Sequence, residues 1–438
     1  MTRICNGPIQ RALIVENPSL ELDSHLREDG LSVTRLEKVP TQEELISTIN
    51  RIGAQVVFKR SRVEITRAVI EACPELLAVQ LCCIGDDSVD KQACADAGIM
   101  VLNDPISNGR SVVELVFGHL ISLSRRLHET NIECRSGVWA KNNTDRYEIR
   151  GKVLGILGLG NIGRSVARVA EALGMTVVFH DSREVAMEVG VEMGWSYIDS
   201  VSSLFKNSDY LSVHLSACDV NGQSNAHLLT KDTLYSLGQN RPESSPRVFL
   251  NLSRGFLHTA QHLKDAVTDG VIRRAAVDVY PSEPRLGQEW QNPYASINNI
   301  VVTPHIGAST QEAQPRIARR VSDTFRGFSR TGVLRDCVFE PRMSLNLASK
   351  LVSGNVMLAV MHSTARGTKR AIDDAIYQAG ASNLASTHKD FEHLGVAYDL
   401  ALLDAPLSLD QIDGLIRATR DIVGEETAIR SVRQVVVN

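Results

Sequence analysis

Residues 152–181 read KVLGILGLGNIGRSVARVAEALGMTVVFHD. Val153 to Leu157 is an apolar run of strand length, and Gly158, Gly160 and Gly163 close it at the G-x-G-x-x-G spacing. A helix is expected from Ile162. Gly158 permits a tight turn, Gly160 lets backbone approach a pyrophosphate, and Gly163 lets the helix pack closely on the strand, so that its free N–H groups and dipole can hold phosphates. A second strand, Thr176 to Phe179, delivers Asp181 about twenty residues beyond the glycines, where a dinucleotide fold keeps the carboxylate that accepts from the ribose hydroxyls. Glycine clusters alone mark turns; strand, glycines, helix, strand and acid in this order predict dinucleotide binding. Asp181 selects NAD over NADP because its charge repels a 2'-phosphate. Arg183 could neutralise such a phosphate, and an exposed loop arginine is its plainer reading.

On either side of this stretch the alternation of strand and helix continues. Ala12 to Val15, Gln55 to Phe58, Leu77 to Leu81 and Ile99 to Leu102 are short apolar runs separated by helical patterns, which predicts an α/β domain ahead of the fingerprint. Ser111 to His128 has a helical period with a wide apolar face. Downstream, strands are expected at Tyr210 to Leu215, Val248 to Leu252, Ala275 to Val279 and Ile300 to Thr303, with Gly238 to Pro246 as a surface loop between two of them. Beyond a linker at Asp336 to Pro341, strand, helix, two strands, helix and strand follow, the βαββαβ order of a ferredoxin-like domain. The expected fold is α/β, a Rossmann-like dinucleotide-binding domain (111–310) inserted in a flavodoxin-like substrate domain (1–110 and 311–333). A linker (334–344) leads to a C-terminal α+β domain (345–438).

The whole chain sets bounds. Its 438 residues exceed one core, and 43% hydrophobic with 22% charged residues is a globular balance. The formal net charge of −4 offers no basic field for nucleic acid. No apolar run approaches the roughly 18 residues of a membrane span and the start lacks a signal-peptide core, so no membrane partner and a cytoplasmic location are expected. Eight cysteines without a C-x-x-C pair predict neither a disulfide framework nor a cysteine metal site, and no metal is expected. Cys82 and Cys83 read as buried thiols.

In an open parallel sheet, ligands meet the carboxyl ends of strands. There the sequence sets His214, then Ser253 and Arg254, then Asp278 and Glu283, then His305. A nicotinamide enzyme that oxidises an alcohol needs a base for the hydroxyl proton and a cation for the neighbouring carboxylate. His305 suits the first, Arg254 the second with two donors. A buried Glu283 beside His305 would orient it and raise its pKa by favouring imidazolium. Each residue alone is most often a solvated or capping group; their occurrence at successive strand ends after a nucleotide fingerprint singles them out. Asp278 is expected to face the cofactor's amide or ribose, and His180 and His258 to be loop or core histidines.

The segments CIGDDSVD, NDPISNGRSVVELVFGHLISLSRR, SGVWAKN, GKVLGILGLGNIGRSVA, NLSRG, AAVDVYPSEP and TPHIGASTQEAQ cover nearly all of residues 10 to 330 and resemble the D-isomer-specific 2-hydroxyacid dehydrogenases. The resemblance implies NAD-dependent oxidation of a D-2-hydroxy acid, with catalytic roles falling on Arg254, Glu283 and His305. It implies cofactor contacts at Gly158, Gly160, Asn161, Ile162, Gly163, Asp181, His214, Leu252, Ser253, Arg254, Asp278, His305, Gly307 and Ala308. KRSR resembles the family's segment for a substrate phosphate and carboxylate, which makes Arg60, Ser61 and Arg62 substrate candidates, with Asn108 and Lys141 by analogy. Asp86 and Asp87 depart from the family pattern and bring two carboxylates near that anionic site.

The C-terminal domain resembles the small ACT regulatory module in element order. Its first loop reads His362, Ser363, Thr364, Ala365, Arg366, Gly367 and lacks the asparagine and proline of the serine-responsive motif. The family also implies a homodimer through the nucleotide domain or a homotetramer, with Trp139 as a contact. Two other readings are open, a glyoxylate or hydroxypyruvate reductase and a non-catalytic NAD(H)-sensing protein; Arg254, Glu283 and His305 favour an enzyme.

Overall fold

A computed structural model describes residues 2–219, 222–284, 289–340, 343–347 and 351–437. The chain divides into two compact units, residues 1–107 with 314–438, and residues 108–313. Among the described residues no helix is long and apolar enough to cross a membrane.

The unit of residues 108–313 is built on a seven-stranded sheet in which every neighbouring pair is parallel. Its order is Ile300–Val302, Arg274–Val277, Val248–Asn251, Tyr210–Val213, Val153–Leu157, Thr176–His180, Ser196–Tyr197. The fingerprint strand lies in the interior of the sheet beside the central strand Tyr210–Val213, with the chain running outward from this pair on both sides. Its carboxyl end is therefore the topological switch point where such sheets bind ligands. Leu154 and Ile156 enter one buried cluster with Val113, Val116 and Val166, while Val153 and Leu157 enter another with Leu211 and Leu263. A strand buried on both faces has to be apolar throughout. The helix expected at Ser111 to His128 runs Gly109–Arg125, breaks at Arg126 with φ 57, and resumes as Leu127–Arg135.

The loop at Gly238 to Pro246 is more than a surface insertion. Ser245 is buried, its hydroxyl donates 2.7 Å to Asp209, and Arg241 places two donors on the same carboxylate. Asp209 in turn accepts from the Val153 N–H at 2.8 Å, at the start of the fingerprint strand.

The other unit contains two five-stranded sheets and a two-stranded one among the described residues. One is parallel, in the order Ser32–Arg35, Arg11–Ile14, Val56–Lys59, Ala78–Leu81, Met100–Leu102. The helix Ala313–Thr331 brings Phe325 edge-on to Phe58, ring centroids 5.0 Å apart. The second sheet contains the expected βαββαβ elements in the order Ile429–Val436, Val356–Ser363, Val396–Leu403, Asn383–Phe391, with the helices Thr368–Gln378 and Leu409–Val423 packed on a common core. A fifth strand joins it, Arg3–Asn6, parallel to Ile429–Val436. Residues 1–110 were expected to serve the substrate domain alone; the four-residue RICN, with a lone β-branched residue, gives no strand signal. Arg3 fixes it, donating to the carbonyls of Leu76, Ala97, Ile70 and Cys73. In the expected linker, Leu334–Arg335 pairs antiparallel with Ser344–Leu345, and Pro341 and Arg342 lie outside the described residues.

Candidate active site

Gly158 has φ 95, and a Cβ there would lie 2.6 Å from the His214 carbonyl oxygen. A Cβ on Gly163 would lie 2.1 Å from the carbonyl oxygen of Gly158. Both positions therefore require glycine. At Gly160 a Cβ would meet nothing within 4 Å, so the surface is open there. The helix Asn161–Ala172 begins at Gly160 without a side-chain cap. Its first-turn N–H groups and dipole favour an anion, and these features fit a dinucleotide pyrophosphate.

Asp181, 5% exposed, accepts from Leu159 N–H at 2.8 Å and thereby ties the end of the strand before it, Thr176–His180, to the glycine turn. Arg183 covers the same carboxylate, with Nε 2.9 Å from Oδ1 and Nη2 2.7 Å from Oδ2, and its own N–H adds a third bond. Burial alone would raise the Asp181 pKa; the Arg183 and Leu159 hydrogen bonds outweigh it and hold the value below the ordinary one. Arg183 is thus not an idle loop arginine.

The Arg254 turn is shaped from below by Asn251, which is fully buried at the end of its strand. The Asn251 side chain accepts from the N–H and hydroxyl of Ser253, both at 3.1 Å, and donates to the Arg254 carbonyl at 2.9 Å. A Cβ on Gly255 would lie 2.0 Å from the backbone of Tyr280, so this glycine lets the Arg254 turn touch the segment leading to Glu283. Tyr280 donates to the Thr303 carbonyl at 2.9 Å, which joins that segment to the His305 turn.

Asp278, 0% exposed, accepts from the Thr303 hydroxyl at 2.6 Å, from Ile306 N–H at 2.8 Å and from Gly307 N–H at 2.8 Å. Its carboxylate thus holds the turn bearing His305. That turn needs holding, because His305 has φ 53, a left-handed conformation costing a non-glycine residue on the order of 1 kcal/mol. His305 Nδ1 lies 2.9 Å from Glu283 Oε2. The pair is open to solvent, the side chains 45% and 38% exposed, so the buried glutamate expected from sequence is instead a surface one. With Nδ1–H donating to Glu283, Nε2 carries the lone pair that can take a proton.

His214 and His258 are neutral supports. Burial pushes both down to about 4, and His214 Nε2 lies 2.8 Å from the Ser212 hydroxyl. His258 is buried as expected, edge-on to Phe249, and His180 Nδ1 lies 2.8 Å from the Ile198 carbonyl. Leu252 is buried beside Ser253, and Asn161 accepts from Arg164 at 2.9 Å. Asn108 is 7% exposed and its Oδ1 has no partner among the described residues, whereas Lys141 is exposed.

In the other unit, Arg60, Ser61 and Arg62 follow the strand Val56–Lys59, with Ser61 and Arg62 exposed. Glu16, itself buried with φ 64, accepts the N–H of Arg60 at 2.6 Å, that of Val63 at 2.9 Å and that of Arg62. Lys59 lies fully buried beneath, donating 2.8 Å to the Arg60 carbonyl and 2.5 Å to the Ser88 hydroxyl. Asp86 is paired with Lys91 at 2.8 Å. Asn251, Thr303, Gly255, Glu16 and Lys59 were not singled out from the sequence as candidate site residues. Gly255 had a usable signal, following directly on a candidate catalytic residue.

Phosphate-fitting glycines, a carboxylate at the second strand's end and a histidine–glutamate pair at the sheet's carboxyl edge define a dinucleotide-dependent oxidoreductase. Residues 117–307 match the family described as "D-isomer specific 2-hydroxyacid dehydrogenase, NAD binding domain". The chain is 34% identical to the D-3-phosphoglycerate dehydrogenase of Haemophilus influenzae over 382 residues, 86% of this chain and 87% of that one. It is 31% identical to the Escherichia coli K12 protein of the same name over 418 residues, 94% and 95% of the two chains. The chain belongs to the D-isomer-specific 2-hydroxyacid dehydrogenase family and is an NAD-dependent enzyme of it. Among solved structures, it is similar to the 2-hydroxyacid dehydrogenase of Ketogulonicigenium vulgare Y25, with TM-score 0.59, 25% identity, and coverage of 75% of this chain and 95% of that one. It shares its fold with an NADPH-dependent glyoxylate/hydroxypyruvate reductase from Sinorhizobium meliloti, with TM-score 0.63, 22% identity, and coverage of 77% and 99%.

Proposed function

We propose that this enzyme oxidises D-3-phosphoglycerate to 3-phosphohydroxypyruvate with NAD, the entry reaction of L-serine synthesis. The observation carrying the mechanism is the His305 Nδ1 to Glu283 Oε2 contact of 2.9 Å. Nε2 of His305 takes the substrate's hydroxyl proton, and Glu283 stabilises the imidazolium that results. Arg254 anchors the substrate carboxylate through paired N–H donors. Arg60 and Arg62 bind the phosphate, Ser61, Asn108 and Lys141 assist, and Glu16 holds the loop of the two arginines. When bound, NAD supplies the nicotinamide carbon that accepts hydride from the alcohol carbon. Gly158, Gly160, Asn161, Ile162, Gly163, Asp181, His214, Leu252, Ser253, Arg254, Asp278, His305, Gly307 and Ala308 are the chain's contacts to it, with Asp181 on the ribose.

The C-terminal βαββαβ domain is an ACT-like module, cytoplasmic homodimers or homotetramers being the working form. Without the asparagine and proline of the serine-responsive loop, it does not follow the serine feedback pattern.

The deciding experiment is NADH production from D-3-phosphoglycerate at alkaline pH, with wild type and His305→Ala. We expect turnover in wild type and a loss of on the order of 100-fold or more in the variant. Turnover with hydroxypyruvate but not with the phosphorylated acid would replace this reading by that of an unphosphorylated-acid reductase. NADH binding without turnover on either substrate would leave a sensing protein.

A further inference from the structure

The cysteine pattern argued against a metal centre, but the histidines of the C-terminal sheet were not part of that reasoning. We propose that His362, His388 and Asp399 form a site for a first-row divalent transition-metal ion, with zinc as the best match to two imidazoles and a carboxylate.

The three residues lie on three successive strands of one sheet. Asp399 stands on Val396–Leu403, directly opposite His388 in the strand register, and His362 is on the strand that flanks it from the other side. His362 Nε2 is 3.0 Å from Asp399 Oδ2 and His388 Nδ1 is 2.7 Å from Asp399 Oδ1. All three ligand atoms lie within 4.8 Å of one another. Tetrahedral bonds of about 2.0 Å need ligand atoms about 3.3 Å apart, which small side-chain rotations reach from here.

The outer ring nitrogens make the case sharper. His362 Nδ1 faces the Ser363 carbonyl at 2.7 Å, and His388 Nε2 faces Asp390 Oδ1 at 3.1 Å. A ring that donates its outer N–H to a carbonyl or carboxylate is the arrangement that orients a metal-ligating histidine. With both outer nitrogens so engaged, neutral rings turn two lone pairs onto a carboxylate that is 3% exposed. One dication bound by all three groups removes that conflict.

A second feature of the site points the same way. A cavity of about 500 Å³ opens on His362, Ser363 and His388, giving an ion and a fourth ligand a way in. Ser363 is 3% exposed, and its hydroxyl has no partner among the described residues. Lys369 is the positive charge 3.7 Å from Asp399, and Asp373 holds its ammonium more closely, at 2.7 Å; Arg366 and Arg370 also line the cavity.

The test uses the full chain, stripped of metal by a chelator and titrated with Co²⁺ and then Zn²⁺. One Co²⁺ per chain should give the visible absorption of a four-coordinate site, and one equivalent of Zn²⁺ should displace it. His388→Gln and Asp399→Asn should each weaken binding at least about tenfold. His388→Gln alters a side chain one-third exposed on an edge strand, so NADH binding and the metal-free melting temperature should match wild type and show that the fold is kept. Absence of the band in wild type, as expected of a purely protonated His–Asp–His network, would overturn the proposal. So would a band of unchanged affinity in a folded His388→Gln variant, which would assign the ion to another site.

Discussion

The turn bearing His305 and the loop bearing Arg60 to Arg62 are held by the same device in different surroundings. In each, a buried carboxylate collects donors from the segment that carries the functional side chain. Asp278 takes two N–H groups and a hydroxyl, and Glu16 takes three N–H groups. What differs is the charge nearby. Under the Arg60 loop lies the buried Lys59 ammonium, its pKa lowered by burial and pulled back up by Glu16 and other acidic groups. Asp278 depends on hydrogen-bond dipoles of the turn itself. A carboxylate satisfied by the backbone it organises makes position, rather than net charge, the thing stabilised. Beneath Arg60 and Arg62, the buried ammonium limits the negative charge that Glu16 leaves.

The sharpest way to break this comparison is Asp278→Ala. Three donors lose their partner, so stability should fall by about 3 kcal/mol. The His305 turn should relax from its left-handed conformation, lowering kcat on the order of 100-fold; urea unfolding and steady-state rates check both. Gly255→Ala comes next. Its Cβ would strike the Tyr280 backbone, costing about 1–3 kcal/mol. Activity should fall with Arg254 misaligned while NADH fluorescence titration changes little. Glu16→Gln should act on the other loop alone. An amide offers one acceptor oxygen where three N–H groups converge, so KM for the phosphorylated acid should rise about tenfold with kcat nearly unchanged. An equal loss of kcat would show that the loop also reaches the chemistry.

The smallest effect concerns acid. His258 and His214 are held neutral at about 4 against an ordinary 6.5. Folded values below unfolded ones mean that the stability they support is complete above pH 6.5 and declines as pH falls toward 4. For the fully buried His258 the slope is about 1.4 kcal/mol per pH unit. Urea midpoints at pH 7 and 5.5 should show a shallower decline in His258→Gln than in wild type.

Much of this was legible in advance because strand ends in a parallel sheet are few and chemically conspicuous. Arg254, Glu283 and His305 announce themselves there. Asn251 and Thr303 do not, since a short polar residue in a strand looks the same whether it faces water or clamps a turn. Ser32–Arg35 was missed because an edge strand of SVTR, with one strongly apolar residue, has no alternation to detect. Arg126 broke a helix whose apolar period ran through it. Arg241 and Ser245 were read by composition as loop residues, and nothing local to them reveals that their partner, Asp209, is buried at the foot of the central strand.

The strand Arg3–Asn6 has a consequence for how this protein is made. Arg3 pairs with Ser431, so this strand must wait until Ser431 has been made before it finds its place. Until then it is an unpaired edge, and contacts so distant in sequence form slowly. That pairing closes a ring. A substitution such as Arg3→Ala should appear as a defect in completing the sheet of Ile429–Val436, far along the chain from the change itself.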